Sequence, residues 1–469
     1  MQQPSKITEY LEAIRQQIRW KRAQSSVLEE INNHIADQKD AFISDGLTEE
    51  EATDRAITEM GDPIVVGEQL DRAHRPRPDW PLLIMTATML LLGLAIQILI
   101  GPNHRNNGAE MFQKQIIWAG IAILAMIATY FIDFTIIGKF PRAVFFGLCA
   151  IMLADYLFTR VMRGNVWSIY VYAINLLLLF PTAYAGFVYR MRNNGYAGFI
   201  LCGVIIIIPA YLAILGPRRL NETVFFLLCT TCLIILTAAV TKGWFKVRKL
   251  FAMFIMYIST AAVLPTLFLM TMGEGYVARR IQVMSNPAFD STGYGYIGTV
   301  IQRFLSHSQF IGEGLPLSGF EKYTVLQILP DVNTDFLLTY LIYRFGWIVL
   351  IGTMAIFSAF IIRAIILCKK QKSVLGFLVS LAIISTFALQ CIIYFAANLG
   401  FFLLSPLSLP LISYGGQALV INMCLIGFLL SVFRTGDLVR DQAGVAVVAK
   451  SSRFIQFVNG QIIINLKTN

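Results

Sequence analysis

The sequence of 469 residues contains little charge and few histidines. Charged residues make up 14% of it, whereas soluble domains usually carry about 25%. Apolar residues make up 56%, which excludes a disordered chain and a coiled coil. The four histidines form no cluster at metal-ligand spacing, so no stable metal site is indicated. This composition is typical of a polytopic membrane protein.

Cysteine is also scarce. The seven cysteines lie almost entirely within apolar runs, which excludes a disulfide-stapled secreted module. Cys229 and Cys232 form a C-x-x-C inside a predicted membrane helix, where packing is favoured over redox or metal chemistry. Residues 1–75 contain no apolar core of a signal peptide, so no cleaved leader is expected.

The net charge of +10 is unevenly divided. Residues 1–79 carry ten basic and sixteen acidic residues, a net charge of −6, and the remaining 390 residues carry +16. A positive balance alone would suggest a nucleic-acid ligand. In an apolar chain it is better explained by basic loops that face anionic lipid, so the membrane is the expected partner and nucleic acid is not.

Residues 1–79 predict a small cytoplasmic helical domain that precedes the membrane region. Ser26 with Glu29, and Thr48 with Glu51, fit the capping-box pattern of a helix start. Asp62 followed by proline predicts the start of the last helix. The Arg-Pro-Arg-Pro segment at 75–78 predicts a stiff linker.

Residues 80–434 predict about ten transmembrane helices, since about 20 apolar residues are needed to cross the hydrocarbon. The predicted spans are 80–100, 115–138, 143–160, 167–189, 195–216, 223–241, 250–272, 336–362, 374–402 and 416–433. One set of connecting loops holds twelve basic residues and the other set holds six. Because basic loops stay inside, both termini are expected to be cytoplasmic.

This orientation places a long segment, 273–335, outside the membrane, and loops of such length are usually functional. Segment 403–415 is rich in proline, serine and glycine and is predicted to be re-entrant. In the tail, 435–469, two β-rich runs flank Asn459-Gly460, which predicts a short C-terminal β-hairpin. The expected fold class is therefore an all-α polytopic membrane protein with a helical prefix and this hairpin.

Three stretches on the predicted external side could carry chemistry. The first runs from Tyr276 through Arg279 and Arg280 to Ile281, and continues with Asn286-Pro287, Asp290, Gly293 and Gly295-Tyr296. The second is Leu-Pro-Asp-Val-Asn-Thr-Asp-Phe at 329–336. The third is Pro-Leu-Ile-Ser-Tyr-Gly-Gly at 410–416.

In this order the three stretches resemble the signatures of the SEDS family of cell-wall proteins (shape, elongation, division and sporulation; the FtsW/RodA/SpoVE group). Lys114-Gln115 with Trp118 also matches the family's entry to its second span. The resemblance covers residues 80–434. The acidic prefix instead resembles a helical prefix found on some membrane permeases of spore-forming bacteria.

The resemblance implies a peptidoglycan glycosyltransferase that polymerises lipid II, or a related undecaprenyl-linked substrate, at the outer membrane face. Family members serve cell division, elongation or sporulation and usually work beside a class B penicillin-binding protein. The family's catalytic aspartate corresponds to Asp335 of this sequence.

The residues are compatible with this chemistry, because glycosyl transfer needs a base for the attacking hydroxyl. Asp335 at the mouth of a membrane cavity would be partly desolvated, which makes it a better base, and Asp331 could orient it. The alternative is that Asp335 is a helix N-cap. The sequence leaves open whether a divalent cation bridges the pyrophosphate and an aspartate.

The other candidate residues would contact substrate, and each has a structural alternative. Arg279, Arg280 and Arg303 could bind the pyrophosphate, or anchor the chain at the lipid interface. The remaining candidates come from the first and third stretches, where close packing of backbone is the alternative for the serine and glycines: Asn286, Ser413, Gly415 and Gly416.

The sequence departs from the family pattern at several positions. Asp331 and Asn333 stand where the family has Glu and His, and Tyr343-Arg344 replaces a Glu-Glu pair. A charge within a span needs a partner, and Asp155 is the candidate for Arg344. Two other functions therefore stay open: a flippase or transporter of a lipid-linked precursor, and a non-catalytic scaffold for a cell-wall synthase.

Overall fold

The computed structural model describes most of the chain with side chains. The described residues are 6–76, 78–100, 108–161, 175–214, 218–272, 279, 282–283, 286–291, 293, 295–317, 325–401, 407–436, 455–458 and 461–464.

Four helices form the segment before the membrane region. They are α1 (Lys6–Gln17), α2 (Lys21–Ser44), α3 (Glu49–Met60) and α4 (Pro63–His74). Helix α1 packs against α4, and α2 packs against α3. The buried side chains include Ile14, Ile35, Ala52 and Ala56, none of which is exposed to solvent. This segment therefore has a small apolar core of its own.

Two of the three predicted helix starts in this segment are confirmed. Thr48 and Glu51 form a reciprocal capping box at the start of α3. The Asp62 side chain accepts a hydrogen bond from the N–H of Ile64, and proline occupies the first turn of α4. The start predicted at Ser26 is wrong, because α2 begins at Lys21 and continues through this position.

We expect Thr48→Ala to destabilise the first turn of α3 by about 1 kcal/mol, because the substitution removes the cap of a backbone N–H. Hydrogen exchange of the full-length protein should show faster exchange at amides 49–52. Thr53→Ala is the control, since Thr53 only bonds the carbonyl of Glu49 within the same exposed helix. Equal exchange in both variants would contradict the role of the cap.

Helices occur in the described part of each of the ten predicted membrane runs. In chain order they are α5 (Trp80–Ile100), α6 (Gly108–Phe131), α7 (Thr135–Lys139), α8 (Pro141–Val161), α9 (Phe180–Met191), α10 (Gly195–Ile205), α11 (Ile207–Ile214), α12 (Arg218–Thr241), α13 (Lys249–Met272), α14 (Tyr296–Ser306), α15 (Val325–Ile328), α16 (Leu337–Phe345), α17 (Ile348–Lys370), α18 (Val374–Asn398) and α19 (Gly416–Thr435). Two 3₁₀ turns, Asn175–Leu179 and Pro287–Asp290, complete the helical elements.

Within the described part of the chain, seven helices are long and apolar enough to cross a membrane. They are Trp80–Ile100, Glu110–Phe131, Gly195–Leu212, Thr223–Thr241, Ile348–Lys370, Val374–Asn398 and Gly416–Thr435. Pro141–Ala154 and Lys249–Val263 are shorter apolar helical stretches. The count of ten spans stays a prediction, while the all-helical polytopic architecture is confirmed.

Helix α18 lies at the centre of the helical bundle. It packs against α9, α12, α17 and α19, and it is buried on nearly all sides between Leu375 and Phe387. Helices buried all round are expected to be apolar all round, so the polar side chains at the end of α18, Tyr394 and Asn398, stand out. They position the site described below.

The eighth predicted span differs from the structure. The prediction was one helix over 336–362, but α16 ends at Phe345 and the long helix α17 begins at Ile348. Gly346 has a φ of +97°, a left-handed value that favours glycine and breaks the helix. Backbone N–H groups of Trp347 and Ile348 bond instead to the carbonyls of Gln309 and Phe310. The apolar run therefore contains a short helix and then the span.

The tail contains two strands, Ile455–Val458 and Gln461–Ile464, which pair antiparallel. The Asn-Gly turn predicted between them lies outside the described residues. The hairpin as a whole stays a prediction.

Candidate active site

The second sequence stretch forms a tight turn that ends at Asp335. The carbonyl of Asp331 accepts hydrogen bonds from the N–H groups of Thr334 at 3.0 Å, Asp335 at 3.0 Å and Phe336 at 3.2 Å. Asp331 adopts a left-handed φ of +48°, a conformation that aspartate tolerates better than most residues. The turn brings the two carboxylates, Asp331 and Asp335, within electrostatic range of each other.

The environment of Asp335 makes its carboxyl group a weak acid. Asp335 lies before the span α17 and is only partly exposed. Burial and, to a smaller extent, the negative charge of Asp331 raise the pKa of this carboxyl to about 7, against an opposing effect of the Thr334 hydroxyl. A carboxylate whose pKa is close to the working pH is well matched to accept a proton.

Segment 407–415 and helix α5 hold the turn in place. The Ser413 hydroxyl donates to the carbonyl of Thr334 at 2.9 Å. The backbone N–H of Tyr414 donates to the carbonyl of Asn333 at 2.9 Å, and the Gln97 amide approaches that carbonyl at 3.5 Å. The second and third stretches of the sequence therefore meet at one place, and Ser413 supports the turn through its backbone.

The N-terminus of α16 tests the helix-cap alternative for Asp335. The residue at the N-cap position is Phe336, whose side chain makes no cap hydrogen bond. The N–H of Leu338 donates to the Tyr394 hydroxyl at 3.1 Å, and the N–H of Thr339 donates to Asn398 Oδ1 at 3.0 Å. Side chains of α18 thus take the bonds that a capping aspartate would take, and the Asp335 carboxylate is left to other partners.

The third stretch also contacts the second predicted span. The N–H of Gly415 lies 3.4 Å from Gln115 Oε1 on α6. At Gly416 a Cβ atom would lie 2.3 Å from the Trp118 ring, closer than atoms pack. The described part of the predicted re-entrant segment, 407–415, is non-helical and largely buried. These contacts favour close packing as the role of Gly416.

We expect Gly416→Ala to destabilise the protein by about 1–3 kcal/mol, because the added methyl group overlaps the Trp118 ring. The melting temperature in detergent should fall. Gly120→Ala is the matched control on the same helix as Trp118, since a Cβ there meets nothing within 4 Å. A melting temperature that is equally lowered in both variants would contradict the packing role.

The first stretch forms a local structure around the 3₁₀ turn. Asn286 Oδ1 accepts from the N–H of Ala288 at 3.1 Å, and Asp290 Oδ1 accepts from the N–H of Gly293 at 3.0 Å. These bonds occupy the Asn286 side chain as a turn cap. No described contact joins Asn286 to the turn that carries Asp335. Its role in binding substrate stays a prediction.

The three candidate arginines are less closely defined. Arg279 is exposed, and Arg280 lies outside the described residues. Arg303 is exposed on α14, a helix that packs against α16 and approaches Gly400 through Gln302. No described contact joins Arg303 to the Asp335 turn, and the pyrophosphate role of all three arginines stays a prediction.

The structure gives Arg344 a partner other than the predicted Asp155, whose side chain lies outside the described residues. Arg344, in the last turn of α16, forms an ion pair with Glu313, and both side chains are about half exposed. The reason is the break at Gly346. It ends α16 beside segment 307–315, where Gly314 donates to the Tyr343 carbonyl at 2.7 Å. The sequence could not show this, because the pairing depends on two segments that meet only in the fold.

Four polar residues of the site were missed or given no role at the sequence level. Gln97, Gln115, Tyr394 and Asn398 are all at least nine-tenths buried. Polar side chains inside apolar runs are costly unless they are bonded, so their position near the ends of predicted spans was a usable signal. This signal indicates that each residue has a polar partner, but it does not identify the partner.

The described residues contain no group of three or more His, Cys, Asp or Glu side chains close enough to hold a metal ion. The site itself offers the two carboxylates of Asp331 and Asp335. Two oxygen ligands are compatible with a divalent cation that also binds substrate phosphate and water.

Comparison with known proteins places the chain among cell-cycle membrane proteins. The family model FTSW_RODA_SPOVE, described as "Cell cycle protein", matches residues 80–437. The probable peptidoglycan glycosyltransferase FtsW of Trichlorobacter lovleyi is 24% identical over 371 residues, which cover 76% of this chain and 92% of that protein. The probable peptidoglycan glycosyltransferase FtsW of Buchnera aphidicola is 31% identical over 250 residues, which cover 52% of this chain and 65% of that protein.

One solved structure has a similar fold. It is described as "Structural coordination of polymerization and crosslinking by a peptidoglycan synthase complex" and aligns with a TM-score of 0.54 and 17% identity. The alignment covers 78% of this chain and 99% of that chain. The helical arrangement of residues beyond the prefix is thus a known one.

Proposed function

Because the chain belongs to the FtsW/RodA/SpoVE family of cell cycle proteins, we propose that it is a peptidoglycan glycosyltransferase that polymerises lipid II. It is a multi-pass membrane protein of the bacterial cytoplasmic membrane. Its relatives in Trichlorobacter lovleyi and Buchnera aphidicola are named probable peptidoglycan glycosyltransferases, and the same reaction suits the site around Asp335.

The observation that carries this proposal is the Asp335 carboxyl group, which has a pKa of about 7 and makes none of the cap bonds of α16. The attacking sugar hydroxyl must lose its proton as the bond to its new sugar forms, while the undecaprenyl pyrophosphate leaves with the electron pair of the broken bond. Asp335 takes this proton. Since helix α16 is capped by other side chains, the carboxylate is available for it.

The proposed orientation follows from the distribution of basic residues. With both termini in the cytoplasm, the turn at 331–336 lies at the outer face, where a lipid-linked disaccharide meets the membrane surface. The exposed Arg303 on α14 is the proposed pyrophosphate contact, since guanidinium groups match phosphate oxygens. A divalent cation held by Asp331 and Asp335 would neutralise the same leaving group.

The proposed protein partner is a class B penicillin-binding protein. The support is the similar fold seen in a peptidoglycan synthase complex. Whether the chain serves division, elongation or sporulation would follow from which such partner it binds.

Reconstituted liposomes test the proposal against its alternatives. Purified protein is placed in liposomes that contain fluorescent lipid II, and glycan polymer and lipid transfer between leaflets are measured on the same sample. We expect polymer. Transfer between leaflets without polymer would support the flippase alternative. Neither activity, together with binding to a cell-wall synthase, would support the scaffold alternative and contradict the proposal.

A further inference from the structure

Asn398 is a fully buried amide at the end of the central helix α18, and all its bonding capacity is used. Its Nδ2 donates to the carbonyl of Asp335 at 2.8 Å and to the carbonyl of Tyr394 at 3.0 Å. Its Oδ1 accepts from the N–H of Thr339 at 3.0 Å, and the Thr339 hydroxyl lies 3.0 Å from both this Oδ1 and the Asn398 backbone carbonyl, so it donates to Asn398 in either case. One side chain therefore joins the site turn, the start of α16 and the bundle core.

These bonds hold the backbone at Asp335 itself and, four residues later, at Thr339. The bond to the Asp335 carbonyl fixes the backbone that carries the carboxylate. The bond to the Thr339 N–H satisfies an orphan donor in the first turn of α16, which would otherwise attract a nearby carboxylate. Without this amide, Asp335 is the acidic group nearest to the uncapped helix start.

We propose that Asn398 is a positioning residue for Asp335, holding its backbone and keeping its carboxylate out of the helix cap. The inference rests on the proposed function for its catalytic meaning.

The groups that face Asp335 determine how its ionisation should respond. Among the described residues, the titratable groups near it are Asp331 on its own turn and the Tyr394 hydroxyl from α18. Burial is the largest cause of the raised pKa of Asp335. Loss of Asn398 would release the turn towards water and towards the free N–H of α16, and both changes favour the charged carboxylate.

The experiment measures the ionisation of Asp335 directly, and also the rate. Infrared titration of the purified full-length protein follows a carboxyl band that is assigned by its loss in Asp335→Asn. In Asn398→Ala we expect the midpoint to fall by about one pH unit and the polymerisation rate at pH 8 to fall at least about tenfold, as expected when a reacting group is misplaced by about 1 Å.

Two further variants separate positioning from folding. Asn398→Asp preserves side-chain volume, and its carboxylate in place of the amide should raise the midpoint of Asp335, again with a lower rate. Gln390→Ala is the matched control, because Gln390 is a buried amide on the same helix that bonds Asn422 and not the turn. It should lower the melting temperature while the Asp335 midpoint stays in place.

The outcomes distinguish this inference from the proposed function. A midpoint unchanged in both Asn398 variants overturns the positioning role, and so does a shift of equal size in Gln390→Ala. If the wild type makes polymer and Asp335→Asn does not, the proposed function stands even when the Asn398 variants leave the infrared midpoint unchanged. If the wild type makes no polymer, the proposed function fails, and the infrared midpoints still decide the role of Asn398.

Discussion

Asp335→Asn should reduce the polymerisation of lipid II by about 10²–10⁴-fold, the usual contribution of a general base. The substitution preserves the size of the side chain and removes its ability to take a proton. Because the carboxylate makes none of the cap bonds of α16, which go to Tyr394 and Asn398, the fold should be preserved. Initial rates with purified protein, and melting temperatures of the same samples, check both statements.

Asp331→Asn is the matched control for this prediction. Asp331 holds the turn through its backbone carbonyl, which the substitution does not alter. Its charge acts on Asp335 from a short distance. We expect a change in pH dependence and only a modest loss of rate at high pH. A rate for Asp335→Asn within threefold of the wild-type rate would contradict the role of Asp335 as the base.

The second large effect is the pH dependence of the wild-type enzyme. The pKa of Asp335 is raised to about 7 by burial and by the charge of Asp331. The base acts when it is ionised. The rate should therefore be constant well above pH 7 and fall about tenfold per pH unit below it. Rates measured from pH 5 to pH 9 at saturating lipid II would show this fall as the acidic limb of the pH–rate profile.

The sign of the shift in Asp331→Asn follows from the same charges. Removing the negative charge of Asp331 makes ionisation of Asp335 easier, so its pKa falls and the limb moves to lower pH. The variant should be faster than the wild type at pH 6 relative to their rates at pH 8. A limb that stays in place would mean that another group titrates, and would separate Asp335 from the observed pH dependence.

Much of the architecture could be predicted from the sequence because its signals are local. Long apolar runs identified the positions of the membrane helices, and the pair Thr48 and Glu51 identified a helix start that the structure confirms. The start predicted at Ser26 failed because a capping pattern is too short to exclude a longer helix through the same residues. Helix α2 begins at Lys21, with Trp20 at its N-cap position.

The features that could not be predicted depend on contacts between distant segments. The division of one apolar run into α16 and α17 rests on Gly346 and on backbone bonds to segment 307–315. The same segment supplies Glu313 as the partner of Arg344.

The site shows the same division between local and distant information. The motif identified Asp335 as the candidate base, and this role stays a prediction. That Asp335 is free of the helix cap could be seen only when α18 was brought against α16, since Tyr394 and Asn398 are 56 and 59 residues away from their bonded partners. A buried polar residue in an apolar run signals a partner but does not identify it.

The most direct test of the central claim is product analysis of a reaction that contains only the purified protein and lipid II. Mass spectrometry should find glycan chains of repeating disaccharide together with released undecaprenyl pyrophosphate, one per new glycosidic bond, and neither product with Asp335→Asn. Unchanged lipid II with the wild-type protein, or equal products with Asp335→Asn, would contradict the account.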